Sequence, residues 1–269
     1  MDLVERAKNG DADALDSLIA SVQDKIYGLA VRMLWHPEDA QDATQEILIR
    51  IVTHLSTYRG ESAFTTWCYA VATNYLRTAA KSRLERHDYT FDRFGDELLD
   101  SAAEPADDLR ERPDYLSLLE EIKVGCTLGM LLCLDREHRL VYILGEILEI
   151  DSTEGANILN ISAAAFRKRL SRSRERIISF TSRMCGLLDK GNRCHCRLRL
   201  TAAMASGRVA AGHSIFPVAD TAADFARVER EVQKLESARR MAAIYRSHPP
   251  FVAGDALRDR LRQLVRGLA

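Results

Sequence analysis

Residues Ile161–Ile177 read ISAAAFRKRLSRSRERI. Five Arg, one Lys and one Glu lie between Arg167 and Arg176, while Phe166, Leu170, Ser173 and Ile177 recur at helical spacing. The stretch is therefore a helix with one apolar stripe and a basic remainder. Just upstream, Asp151 and Glu154 hold capping-box positions at the start of a second short helical segment. Two short helices around a tight turn at Asn160–Ile161–Ser162 read as a helix-turn-helix. A solvated basic helix is the competing reading, and the rest of the chain decides between them.

The chain has 269 residues, enough for one large or two smaller cores. Its formal net charge is -1, so the basic helix is a local feature and charge is segregated along the chain. The first ten residues, MDLVERAKNG, mix both charges without an apolar run, so no signal peptide is expected. The longest apolar run, Val124–Leu134, is too short to span a bilayer. A cytoplasmic protein without membrane insertion is expected. Its six Cys are then reduced, metal-bound or redox-sensing rather than structural disulfides.

Helical spacing runs along most of the chain. Leu15, Leu18, Val22, Ile26, Leu29 and Met33 mark a helix over 11–34 with Asp11 as N-cap. Trp35–His36–Pro37 breaks it, and a second helix is expected from near Glu38 to about Thr57. In the third, FTTWCYAVATNYLRT, the stripe is Phe64, Trp67, Cys68, Val71, Tyr75 and Ala79. From Glu85 to Asp114, eleven acids stand against four Arg, with Pro105 and Pro113, which reads as a flexible acidic linker. Helical spacing resumes at Leu116–Leu134 and again at Glu137–Leu148. Beyond residue 183, a stripe of Ala222, Phe225, Val228, Val232, Leu235 and Ala242 precedes a last amphipathic helix carrying Leu257, Leu261, Leu264 and Leu268. Neither helix could bury its stripe alone, so each needs a partner surface.

Three surfaces carry chemistry. A helix rich in Arg can neutralise phosphates and reach guanine edges in the major groove, with its N-terminal residues nearest the bases. This nominates Ala164, Ala165, Arg167 and Lys168 for base edges. Arg169, Arg172, Arg174 and Arg176 are left for phosphates or solvent. Phe64, Trp67, Tyr69 and Tyr75 with Arg77 and Lys81 combine aromatic surface and cations, as single-stranded DNA requires. A core role is the favoured reading for Phe64 and Trp67, which fall on the stripe. Glu38, Asp39, Asp42 and Glu46 form an acidic face that either docks a basic protein or is a solvated helix N-terminus.

These blocks, in this order, resemble the extracytoplasmic-function class of bacterial sigma factors. HPEDAQDATQEILIRI resembles that family's polymerase-docking block. FTTWCYAVATNYLR resembles its promoter-melting block, and LDREHRLVYILGEILEIDSTEGANILNISAAAFRKRLSRSR its minus-thirty-five-reading domain. The resemblance covers residues 10–180. It implies an all-α fold of two helical sigma domains, 1–84 and 115–182, joined by an acidic linker, 85–114, with a Cys-containing helical extension, 183–269. It implies docking on core RNA polymerase through Glu38, Asp39, Asp42, Gln45 and Glu46. Minus-ten contacts fall to Tyr58, Arg59, Phe64, Trp67, Asn74, Arg77 and Lys81. Minus-thirty-five contacts fall to Ser162, Ala164, Ala165, Arg167, Lys168, Arg169, Arg172 and Arg174. The implied function is promoter-specific initiation in a stress or environmental response, with core polymerase and promoter DNA as partners and an anti-sigma protein as a further one. No catalytic residue and no required cofactor are implied. The chain departs from the family pattern at Cys68, Ala70 and Thr78. Gly155 also replaces an apolar residue, and Phe166 stands where a smaller β-branched residue is common. A stand-alone helix-turn-helix regulator with a metal- or redox-sensing C-terminal segment is the alternative.

In the extension, Cys185, Cys194, His195 and Cys196 are candidate zinc ligands, although adjacent His195 and Cys196 rarely reach one ion. A Cys185–Cys194 or Cys185–Cys196 disulfide, a redox-active thiol activated by Arg193, Arg197 and Arg199, and a reduced pair in a turn are the alternatives. Cys126 and Cys133 read as core. The helices beyond residue 218 are expected to fold back and restrain the two domains.

Overall fold

The computed structural model describes residues 3–79, 89–210 and 237–268, and among these it is helical with no extended strand. The N-terminal part comprises α1 (Leu3–Lys8), α2 (Ala12–Leu34), α3 (Pro37–Thr53) and α4 (Phe64–Thr78). Asp11 caps α2 by accepting the Ala14 amide, as its sequence position predicts. Trp35, at φ 66, ends α2, and Pro37 opens α3 where its missing N–H costs nothing. The six periodic positions of α2, Leu15 to Met33, are all buried. Each is worth about 1.5–3 kcal/mol relative to exposure, which makes α2 the axis on which α3 and α4 pack.

The buried stripe of α4 differs from the expected one. Cys68, Tyr69, Ala72, Thr73 and Leu76 face the core, while Phe64, Trp67, Val71 and Tyr75 are only half-buried. Aromatic residues lie on both faces of this helix, so hydrophobicity alone could not choose between them. The second helix also ends earlier than expected, at Thr53, and a single 3-10 turn, Leu55–Thr57, follows it.

The segment expected as a flexible linker contains two helices, α5 (Phe91–Asp100) and α6 (Asp107–Arg110). Thr90 caps α5 through the Arg93 amide, and Phe94 and Leu98 are buried on one face. Phe91 and Phe94 both pack against the ring of Phe180, at 5.2 and 5.9 Å between centroids. Three apolar residues at helical spacing were enough to fold a strongly acidic stretch once Phe180 offered them a surface.

The second helical group is α7 (Tyr115–Leu132), α8 (Arg136–Tyr142), α9 (Ser152–Leu159) and α10 (Ala163–Met184). A π-helical turn, Ile143–Ile147, continues α8. The extension supplies α11 (Cys196–Ala205), α12 (Ser237–Arg246) and α13 (Asp255–Leu268). Of the stripe expected over 218–245, the positions before 237 lie outside the described residues; Ala242 is buried in α12.

The two helical groups are packed together, with α4 against α9. Arg136 caps the C-terminus of α4, donating to the carbonyls of Leu76, Arg77 and Ala79 at 3.1, 3.3 and 2.6 Å. The Trp35 indole N–H donates to Gly125 O at 3.0 Å. The extension touches both groups. Tyr245 donates to Thr127 O, and Arg246 donates to Glu146 O and pairs with Glu149. On the other side, Asp24 of α2 pairs with Arg258 and accepts the Ala253 amide, while Arg32 lies over the Phe251 ring.

Candidate functional site

The helix-turn-helix is built as its sequence specifies. Asp151 caps α9 by accepting the amides of Thr153 and Glu154, and these bonds hold its carboxyl below the usual range. Asn160 takes the left-handed conformation that ends α9, at φ 52. Ser162 caps α10 through the Ala165 amide. The Phe166 ring then fixes how α10 crosses α9. A Cβ added at Gly155 would lie 2.5 Å from two of its ring carbons, and one at Gly145 would lie 3.1 Å from a third. The two departures from the family pattern therefore fit one another: the missing side chain at Gly155 makes room for the larger one at Phe166. Gly155 receives the ring.

The basic residues of α10 divide into two sets. Arg167, Lys168 and Arg172 are exposed, as is Ala164. Arg167 makes a 3.3 Å bond to the Ser152 hydroxyl. Arg169 and Arg174 instead turn back to α8 and its π turn, pairing with Glu137 (2.7 Å) and Glu146. Arg176 donates to Cys133 O at 3.2 Å and lies over the Phe91 ring. Arg169 and Arg174 thus brace the recognition helix in this arrangement.

The second surface lies at the start of α4. Tyr58, Phe64 and Trp67 form a half-buried aromatic trio with centroids 5.5 to 5.8 Å apart. Lys8 donates to Tyr58 O at 2.7 Å and sits 5.6 Å from its ring. Arg59 is exposed beside the trio. Asn74, two turns from Trp67, is exposed on the same face of α4. Phe64 and Trp67 pack against the core with one side and leave the other open, whereas Tyr69 is buried. Arg77 does not join this surface. It pairs with Glu137 at 2.8 Å and donates to Leu159 O at 3.1 Å, tying α4 to α8 and α9. Lys81 lies outside the described residues.

The third surface is on α3. Glu38, Asp42 and Glu46, spaced i, i+4, i+8, are exposed along one face, with Asp39 and Gln45 half-buried beside them. Burial, reinforced by Glu46 and Asp42, raises the pKa of Tyr75 at the edge of this acidic field.

In the extension, Cys185 and Cys194 face one another across an isolated parallel bridge. All six cysteines are free. Among the described residues, no group of three or more His, Cys, Asp and Glu is placed to hold a metal ion as it stands, the Cys185, Cys194, His195 and Cys196 set included.

Residues 18–85 match the family model for sigma-70 region 2. The chain is 31% identical over 177 residues to the RNA polymerase sigma-H factor of Pseudomonas aeruginosa, covering 65% of this chain and 90% of that one. The chain belongs to the extracytoplasmic-function sigma factors. It is also 31% identical over 175 residues to the ECF RNA polymerase sigma factor SigW of Bacillus subtilis, covering 64% of this chain and 91% of that one. To the ECF RNA polymerase sigma-E factor of Escherichia coli it is 29% identical over 178 residues, with 65% and 90% covered. A sigma factor of this class is not a stand-alone helix-turn-helix regulator, which sets that alternative aside. No helix among the described residues of this sigma factor is long and apolar enough to cross a membrane.

Proposed function

We propose that this sigma factor binds core RNA polymerase in the cytoplasm and directs it to promoters serving a stress or environmental response. The observation that carries this reading is the exposure of three different surfaces in the order the family uses them. They are the acidic face of α3, the Tyr58–Phe64–Trp67 trio with Asn74, and the basic face of α10. The α3 acids dock on a basic polymerase surface. The aromatic trio, with Arg59, stacks unpaired minus-ten bases. Ala164, Ala165, Arg167 and Lys168 meet minus-thirty-five base edges, and Arg172 holds phosphate. Bond-making belongs to the polymerase, and this chain supplies position. A separate anti-sigma protein is a further partner that would compete for these faces.

The packed arrangement is then a closed form. Promoter elements named minus ten and minus thirty-five are about 25 base pairs apart, roughly 85 Å of duplex at 3.4 Å per pair. Surfaces tied together through Arg77, Arg136 and Glu154 cannot read both at once. Thr66, at the start of α4, donates to Glu154 of α9, so this tie sits beside the aromatic trio. The extension reaches Asp24 on one group and Thr127 and Glu146 on the other, and so restrains opening.

Retention on immobilised core polymerase tests these assignments together. Asp39→Arg with Asp42→Arg should weaken retention at least tenfold and leave binding to free DNA unchanged. Arg172→Ala should leave retention unchanged while reducing the salt slope of DNA binding by about one. Asp24→Arg, which breaks the pair with Arg258, should increase retention. Equal retention by all three variants would remove α3 from the docking surface and the extension from any restraining role.

A further inference from the structure

Four of the six cysteines converge on one pocket of about 30 Å3. Cys126 comes from α7, Cys185 from the end of α10, and Cys194 and Cys196 from the segment entering α11. Nothing in their sequence spacing brings Cys126 to the others. Packing of α11 against α7 does so.

The backbone explains why these four converge and His195 does not. Gly186 donates to Cys194 O at 2.8 Å and Cys194 donates to Met184 O at 3.1 Å, which places Cys185 and Cys194 side by side. His195 is extended, at φ -118 and ψ 144, so residues 194 and 196 share one side of the chain and His195 takes the other. Its ring lies against Gly186, where any Cβ would collide with it.

We propose that Cys126, Cys185, Cys194 and Cys196 bind one thiophilic divalent cation of the zinc class, fastening the root of the C-terminal extension to α7. Four thiolates are the donor set of closed structural zinc sites. As placed here the four cysteines line the pocket without forming a metal centre, so binding requires their side chains to turn inward. Each coordinating thiol releases its proton to solvent as the metal–sulfur bond forms.

The surroundings of the pocket favour a cation over a disulfide. Lys123 and Arg199 also line the cavity and offset the negative charge of four thiolates. A Cys185–Cys194 disulfide would use two of the sulfurs and leave Cys126 and Cys196 without a role.

The test uses the full chain, purified under reducing conditions without chelator, with metal content measured by plasma mass spectrometry. About one equivalent of zinc is expected. Cobalt exchanged into the site should give an intense near-ultraviolet thiolate charge-transfer band. Cys126→Ser should lower zinc content at least fivefold, whereas Cys133→Ser and His195→Ala should leave it unchanged. If Cys126→Ser does not fold, the cobalt band of the unmodified chain still decides. Absence of both zinc and the cobalt band overturns the proposal. So does full zinc retention by Cys126→Ser, loss of zinc in His195→Ala, or a Cys185–Cys194 disulfide in the reduced preparation. The site stands independently of promoter recognition, so its failure leaves that reading intact.

Discussion

Arg139→Ala should cost about 3–5 kcal/mol of folding stability, the sum of the penalties for the buried carbonyls it would leave without a donor. Arg139 is 2% exposed. Its guanidinium donates to Leu131 O and Leu134 O at 2.9 Å, to Leu132 O at 3.4 Å, and to Met33 O. Three of these carbonyls lie at or just beyond the C-terminus of α7, and the fourth belongs to the last turn of α2. One cation thus satisfies the carbonyl ends of two helices, where the helix dipole also favours positive charge. Without it, several buried carbonyls lose their donor, each at about 1–3 kcal/mol. Arg139→Lys should recover less than half of the loss, because an ammonium cannot match the planar fork. Urea unfolding followed by circular dichroism measures both variants. A loss below 1 kcal/mol for Arg139→Ala would show that water replaces the guanidinium and that the junction is not dry.

Phe166→Ala should cost a similar amount, about 3–5 kcal/mol, because a fully buried aromatic side chain leaves a cavity behind. The more informative experiment joins it to Gly155. Gly155→Ala should be destabilising by about 1–3 kcal/mol, although Ala is the better helix former. Its methyl group would sit 2.5 Å from the Phe166 ring. In the Phe166→Val background the ring is absent and the same Gly155→Ala change should become neutral or stabilising. The double-mutant cycle should therefore show a coupling of about 1–3 kcal/mol. Zero coupling would mean that α9 and α10 do not meet through this notch. The functional link is direct, since Phe166 lies between Ala164 and Arg167 and sets the pose of the N-terminal turn of α10.

Sequence periodicity was sufficient wherever a helix had one apolar stripe and a polar remainder. Positions 12–34 show this, as do the caps Asp11 and Asp151, because those side chains act on amides two or three residues away. It was insufficient where the partner surface chose the outcome. Phe91, Phe94 and Leu98 form a stripe, but eleven acids obscured it until Phe180 supplied a surface. In α4, apolar residues on two faces left the buried one undecided, and packing on α2 selected Cys68, Tyr69, Ala72 and Leu76. The division of α10 into open and braced arginines depends on Glu137 and Glu146, whose position no local pattern reveals. Cys126 joined Cys185, Cys194 and Cys196 for the same reason. Gly155 and Phe166 each weakened the match to the family pattern when read alone. Read together they form a single packing solution, and the family assignment stands with them in place.

Run-off transcription with core polymerase, with and without this chain, on a library of genomic promoter fragments tests the central claim most directly. Chain-dependent transcripts with discrete start sites should arise from a subset of fragments, and Asp39→Arg with Asp42→Arg should abolish them. If a chain retained on core polymerase yields no transcripts beyond those of core alone, the promoter-directing function assigned to it is wrong.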